Sequence, residues 1–244
     1  MFETERQLVE IIAEVAPEAF TRRGDLLNNF SVFREVNVGY GSADIVIADI
    51  NCNCSAFNSI LEEKDIAVLE MIMEKGTTCK VEVSEATRLK SHVVSRIVKK
   101  LKDNCYVITE NENIMLFNKY DKVVKKSIAI EAKLRNWNRA LKQAYRYKCF
   151  ANYSFVCLPS ANASPAINQI NKFKEVEVGL LTIDDSKNVN TIYLPPRSCP
   201  FNSRMDMLFN ELVKSSIQIG LKDSPSNSDG NHCFRPKEAL CTFQ

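Results

Sequence analysis

Glu131 and Lys133 flank Ala132 in the segment SIAIEAK. On a strand, side chains two apart share a face. An acid and an amine would then stand side by side, with Ile128, Ile130 and Ala132 forming an oily opposite face. Taken alone, that pair reads as a solvated strand face. On a central strand it is costly to desolvate without partners, and a second carboxylate with a divalent cation would satisfy both groups. Asp44, within the apolar run ADIVIADI, completes the key constellation.

The elements that must position these residues follow from hydropathy period and turn chemistry. Residues 4–15 have Leu8, Ile11, Ile12 and Val15 on one helical face, with Thr4 and Gln7 spaced as a capping box and Pro17 and Arg22-Arg23-Gly24 closing the segment. Phe30–Val36 and Ala43–Ile50 read as strands around the loop Gly39-Tyr40-Gly41-Ser42. After residue 120, strands are expected at 127–133, 153–158 and 179–183, with helices at 137–150, 164–173 and 203–217. The polar stretch DSPSNSDG reads as a mobile tail.

Between these two parts the character changes. Helices are expected at 62–76, 81–89 and 91–103, followed by short strands at 105–109 and 113–118. Three helices and a small hairpin in that order resemble a winged helix-turn-helix. Cations cluster between Lys80 and Lys102, and again from Lys133 through Arg135, Arg139, Lys142 and Arg146 to Lys148. A charged helix face is usually just solvated. Two such sets beside a phosphate-handling site would favour backbone contact. Ser91, Arg96, Lys99 and Lys100 on the third helix, and Arg139 and Arg146 beyond the EAK strand, are the candidate DNA contacts. Trp137 and Tyr145 read as core aromatics rather than base-stacking platforms.

SADIVIADI, then IAIEAKLRNW, then QAYRY is similar to the PD-(D/E)xK nuclease superfamily, which includes restriction endonucleases and Holliday-junction resolvases. Asp44 matches the aspartate heading the second strand, Glu131-Ala132-Lys133 the ExK of the third, and Gln143 with Tyr147 the helical QxxxY element. Glu5 resembles the auxiliary acid of the first helix, and reads equally as an ordinary N-terminal helix charge. Ala43 stands where many members carry proline. Asp44 and Glu131 lie 87 residues apart (131 − 44), far more than the family's short turn, and the winged-helix segment accounts for that gap.

The resemblance implies an α/β fold, a mixed central sheet flanked by helices, restriction-endonuclease-like, with a small α+β winged-helix domain inserted. Residues 1–59 and 119–220 would form the nuclease domain, 60–118 the winged helix and 221–244 the mobile tail. It implies Mg²⁺ or Mn²⁺ on Asp44 and Glu131. Lys133 would orient the attacking water or stabilise the transition state, and Gln143 would position water or phosphate. DNA is the implied partner, touched also by Tyr147. A homodimer, or a partner protein of a restriction or mobile-element system, stays open. The implied activity is DNA endonuclease cleavage, and the alternative is a non-catalytic DNA-binding regulator that keeps the nuclease fold as scaffold.

Composition sets the outer limits. With 45% hydrophobic and 25% charged residues the chain can bury a real core, and a net charge of +2 carries no partner by itself. No apolar run approaches the length of a membrane span, and the acidic start lacks a signal-peptide pattern, so a cytoplasmic location is expected. The nine cysteines are odd in number and scattered, which suggests reduced thiols. Cys52 and Cys54 could be drawn with His232, Cys233 and Cys241 as a metal site, but no CxxC pair supports it.

Overall fold

Two sheets organise the computed structural model, which describes residues 2–22, 30–39, 41–51 and 59–222. The chain begins with α1 (Glu5–Arg22), β1 (Phe30–Asn37) and β2 (Ser42–Ile50). An intervening unit follows: α2 (Glu63–Lys75), β3 (Thr77–Cys79), α3 (Lys80–Thr87), α4 (Ser91–Asp103), β4 (Val107–Glu110) and β5 (Asn113–Leu116). The chain then returns through β6 (Val124–Ala132), α5 (Trp137–Tyr147) and β7 (Tyr153–Pro159). It ends with α6 (Ser164–Ile167), α7 (Ile170–Glu175), β8 (Gly179–Ile183), β9 (Val189–Tyr193) and α8 (Ser203–Lys222).

The large sheet is mixed, with strand order β1-β2-β6-β7-β8-β9. Strands β6, β7 and β8 run parallel and the other neighbours antiparallel. Parallel neighbours need crossovers, which α5 and the α6–α7 pair provide. Both faces are covered. On one, Leu8, Ile12, Ala16 and Phe20 of α1 pack on Ile45, Ile47, Ile128 and Ile130. On the other, Val46, Ala48 and Ala129 meet Ala140, Ala144 and Tyr147 of α5 and Phe209 and Val213 of α8. This double covering explains why the central strands read as nearly continuous apolar runs.

Packing overrides two local expectations. Helix α1 continues through Pro17, the first of the two expected stops, and ends at Arg22, the second. Its last turn is held by Phe20, whose ring lies 5.3 Å from that of Phe155, and by Thr21 Oγ1 donating to the Pro17 carbonyl at 2.8 Å. Burial outweighs the lost amide bond. At the other end Thr4 Oγ1 accepts from the Gln7 amide, as a cap should, but Gln7 Oε1 accepts from the amide of Glu3 rather than Thr4. The helix expected over 164–173 is broken into α6 and α7. Strands β3 and β9 carry no clear strand pattern in the sequence, being three residues long and half-exposed respectively. The tail expected to be mobile lies, from 223 on, outside the described residues, as do Cys52, Cys54, His232, Cys233 and Cys241.

The intervening unit packs α2, α3 and α4 around Ile66, Leu69, Val83, Val94, Ile97 and Leu101, under an antiparallel sheet of order β3-β5-β4. Its core is continuous with that of the large sheet. Both of its ends are fastened to α8. The Leu61 amide donates to Glu211 Oε2 at 2.8 Å, and Tyr120 Oη donates to Glu211 Oε1 at 2.5 Å. The amides of Val123 and Val124 donate to Asn210 Oδ1. Lys214 Nζ donates to Glu211 Oε1 at 2.6 Å, and both of these side chains are 0% exposed.

Close approach of two strands makes one residue sensitive. A Cβ on Gly179 would sit 2.1 Å from Phe155 Cδ1 and 2.9 Å from Pro195 Cδ. Phe155 is fully buried and cannot swing away. Gly179→Ala is therefore expected to lower unfolding free energy by about 1–3 kcal/mol through overpacking. Urea titration followed by circular dichroism checks this, and an unchanged midpoint would show that the ring has room to move.

Candidate active site

Ile45 pairs with Ile130 across β2 and β6, and the same register places Asp44 opposite Glu131. Both stand where β6 and its parallel neighbours end, the edge at which open α/β sheets offer a crevice. Asp44 Oδ2 accepts a bond from the Ala132 amide at 2.8 Å. Glu131 is 1% exposed. Tyr147, reaching in from α5, donates its hydroxyl to Glu131 Oε2 at 2.5 Å and lies 2.7 Å from the Ser42 carbonyl. Lys133 Nζ sits 3.0 Å from Glu131 Oε1 as an ion pair and donates to Glu5 Oε2 at 3.2 Å. Glu5 arrives from the opposite face of the sheet, at the start of α1, and joins the cluster around the strand ends.

The electrostatics are those of a crowded acidic pocket. Burial, then the charge of Glu131, pushes the Asp44 carboxyl up to about 7, with the Ala132 amide and Lys133 opposing. Burial would depress Lys133, but the charges of Asp44 and Glu131 and its bonds to Glu131 and Glu5 hold it above its ordinary value. Burial and Glu131 push Tyr147 upward, so it stays a protonated donor. Two oxygens keep capacity to spare: Gln143 Oε1 is buried without a hydrogen-bond partner, and Glu131 Oε1 has only the Lys133 ion pair. Gln143 lies one turn before Tyr147, toward the end of α5 that is nearest the strand termini.

Those oxygens bear on a cation. Among the described residues no three His, Cys, Asp or Glu side chains gather as a ligand cage. Mg²⁺ does not require one, since it is commonly held by one or two carboxylates, waters and substrate phosphate. Asp44 and Glu131, two carboxylates facing each other across β2 and β6, fit that hard-donor pattern.

Glu35 is a further acid that hydropathy does not single out. It faces Asp44 across β1 and β2, between the pairs Arg34–Ile45 and Val36–Ala43. Its backbone is left-handed, with φ of 51°. Its carboxylate accepts from Ser42 Oγ at 3.1 Å and adds to the upward pressure on Asp44 and Tyr147. Non-glycine residues in that conformation are strained and cluster at functional sites. An isolated glutamate in an alternating strand gives no sign of it beforehand.

The other expected contacts divide by placement. Ser91, Arg96 and Lys99 are exposed on α4, and Arg139 and Arg146 on α5. Lys100 turns inward and donates to the buried Asp65 at 2.5 Å, so its charge serves the intervening unit's own interior. Tyr147, expected to touch DNA, is a core residue that holds Glu131. Trp137 lies against Phe173 with ring centres 5.9 Å apart, as a core aromatic should. Tyr145 does not follow that expectation: it is 46% exposed. A small cleft of about 220 Å³ between α4 and the β4–β5 hairpin, away from the carboxylates, is lined by Lys80, Ser95, Lys99, Lys102 and Asn111.

Comparison of the chain with protein-family models, with curated proteins and with solved structures found no match.

Proposed function

We propose that this chain is a Mg²⁺-dependent DNA endonuclease of the PD-(D/E)xK type, with a winged-helix domain that grips duplex DNA. The observation that carries the reading is the convergence of Asp44, Glu131 and Lys133 at one sheet edge. Asp44 and Glu131 would hold the cation, which when bound supplies Lewis acidity and a water of lowered pKa. Tyr147 occupies Glu131 Oε2, and Oε1, now facing the Lys133 ammonium, would be the atom turned to the metal. Lys133, held protonated, offers an ammonium to the attacking water or to the charge that builds on the phosphate. Gln143 would position the water or a phosphate oxygen, and Glu5 would steer Lys133.

Support for the second domain is its order of elements. Helix, short strand, two helices and a hairpin is the winged-helix sequence, and α4 would be its recognition helix, with Ser91, Arg96 and Lys99 outward. The test is cleavage of supercoiled, linear and branched DNA with Mg²⁺ or Mn²⁺ and with chelator. Metal-dependent products are expected. Duplex binding with no cleavage of any form would assign the chain to the DNA-binding regulators instead.

Metal and proton compete for Asp44. Its carboxyl is raised from 3.8 to about 7 in the fold. In the metal-free protein it therefore contributes stability that is full below pH 4 and lost as pH rises through 7. Mg²⁺ should stabilise the protein above pH 7 and progressively less below it. Asp44→Asn, with no charge to bury, is expected to melt higher than the wild type at pH 8 without metal and to ignore added Mg²⁺. Thermal melts across pH, with and without Mg²⁺, check both statements. A variant still stabilised by Mg²⁺ would place the cation elsewhere.

A further inference from the structure

The outward face of α5 carries four cations and an exposed aromatic pair that the cleavage site does not use. Arg135, just before the helix, and Arg139, Lys142 and Arg146 along it follow one another at intervals of four, three and four residues, all exposed. Residues at such spacing are neighbours on a helix, and like charges there repel. The helix WNRALKQAYRY contains no acid. Among the described residues, none of these four cations has a carboxylate within ion-pair distance, in contrast to Lys148 at the end of the same helix, which pairs with Glu177. A row of unneutralised positive charge asks for an anionic partner.

The aromatic pair lies beside the last turn of that row. Tyr145 and Phe201 meet edge to face with ring centres 6.2 Å apart, and Phe201 is 59% exposed. Exposed rings on loops are usually free to turn. Phe201 is held: its amide donates to the Lys148 carbonyl at 2.9 Å, the Asn202 amide donates to the Cys149 carbonyl, and the Lys148 ammonium lies 4.9 Å from the ring centre. Lys148 is itself buried and paired with Glu177. The rings are thus presented to solvent on a fixed support. The inner face of the same helix delivers Tyr147 to Glu131, and its first turn lies at the catalytic edge of the sheet.

We infer that the outer face of α5, with Phe201, is a binding track for single-stranded DNA, in which the cations follow the phosphates and the Tyr145–Phe201 pair stacks an unpaired base. Neither feature alone indicates this ligand. A basic row would serve a duplex, and an exposed ring pair could serve many partners. Fixed aromatic faces next to a track of cations match what an unpaired strand offers, since a duplex hides its base faces in the stack. The helix is 11 residues long, roughly 16 Å, a span of a few nucleotides. The inference deepens the nuclease reading and rests on it for one point only: that the strand leads to the carboxylates. The substrate would then be a DNA with an unpaired arm or flap at the cut.

The experiment uses the full chain in chelator, so that binding is read without cleavage. Fluorescence anisotropy compares a labelled 15-nucleotide oligo-dT with a blunt duplex. The wild type is expected to bind both. Tyr145→Ala/Phe201→Ala should weaken oligo-dT binding about tenfold, the scale of one lost stacked base, and leave duplex binding within twofold. Both side chains are exposed, and a thermal melt confirms that the variant folds. Arg139→Ala/Lys142→Ala/Arg146→Ala should reduce the salt slope for oligo-dT by about 2. Unchanged oligo-dT affinity in the aromatic variant, or an equal loss for duplex, would overturn the inference. So would a wild type that ignores oligo-dT but self-associates through this face in sedimentation, with association lost in the aromatic variant. A chain that binds oligo-dT as described yet cuts no DNA would sink the nuclease reading and leave the track standing. One that cuts DNA but fails these binding tests would do the reverse.

Discussion

Lys133→Ala is expected to slow metal-dependent DNA cleavage by about 10²–10³-fold, the scale of removing one preorganised charge from a transition state. The ammonium is placed by three carboxylates: it bonds Glu5, pairs with Glu131 and feels Asp44. Its location at a strand end would suggest a small structural cost, but burial argues otherwise. Without Lys133, the 1% exposed Glu131 retains only the Tyr147 hydroxyl. The metal-free variant should therefore lose about 2–3 kcal/mol, somewhat less than a wholly interior pair would cost. Saturating Mg²⁺ should restore much of that stability without restoring the rate. Single-turnover cleavage at saturating Mg²⁺, set beside denaturant midpoints, separates the two effects. Glu131→Gln/Lys133→Met supplies a control in which neither member of the ion pair is charged: it should be more stable than Lys133→Ala and inactive. Near-wild-type cleavage by folded Lys133→Ala would remove Lys133 from the mechanism.

Lys214→Met is expected to destabilise the protein by about 3–5 kcal/mol, because it strands Glu211 in the interior. The Glu211 carboxylate accepts from Lys214, Tyr120 and the Leu61 amide, and neither Glu211 nor Lys214 has exposed side-chain surface. Glu211→Gln/Lys214→Met should recover a good part of the loss, since neither remaining group is charged. The double variant still lacks a full set of bonds to Leu61 and Tyr120, so it should not exceed the wild type. Urea midpoints of the three proteins measure this. A single variant within about 1 kcal/mol of the wild type, the range of an exposed pair, would mean that water reaches Glu211.

Much of the sheet is legible in the chain. The alternation of Ile128, Ile130 and Ala132 with Glu131 and Lys133 places the two charged groups on one face, and the β2–β6 register brings Asp44 to them. The helical interval from Gln143 to Tyr147 likewise sets both on the inner side of α5. Tyr145, two residues from each, falls on the outside by the same period, so its exposure was available to a stricter reading of the helix. Other features were not available. The left-handed backbone at Glu35 depends on how β1 meets β2, and no residue type announces it. The run LFNELVKSSI in α8 looks like a half-solvated helix, yet Asn210, Glu211 and Lys214 are buried because the intervening unit covers the side away from the sheet. Strand β9 is recognisable only by its partner β8, since half of its side chains face solvent.

The clamp on α8 has a consequence for the order in which the chain is made. Leu61 meets Glu211 across 150 residues, so the two ends of the intervening unit cannot be fastened until α8 has been synthesised. At about 5–20 residues per second, the 87 residues from Asp44 to Glu131 delay the pairing of β2 with β6 by roughly 4–17 s. During that interval the nascent β2 has only β1 beside it, and an open apolar strand edge invites wrong partners. The intervening unit, rich in local helical contacts, can fold while it waits. Where it leaves the large sheet, the Asn51 amide reaches the Val123 carbonyl at 2.8 Å and carries the β2–β6 ladder to the root of the unit. A floppy connection of that length would have to be closed against its full chain entropy. A folded one delivers β6 to the waiting edge of β2, and Asp44 and Glu131 come together on the ribosome's schedule, ahead of the helix that later locks the unit in place.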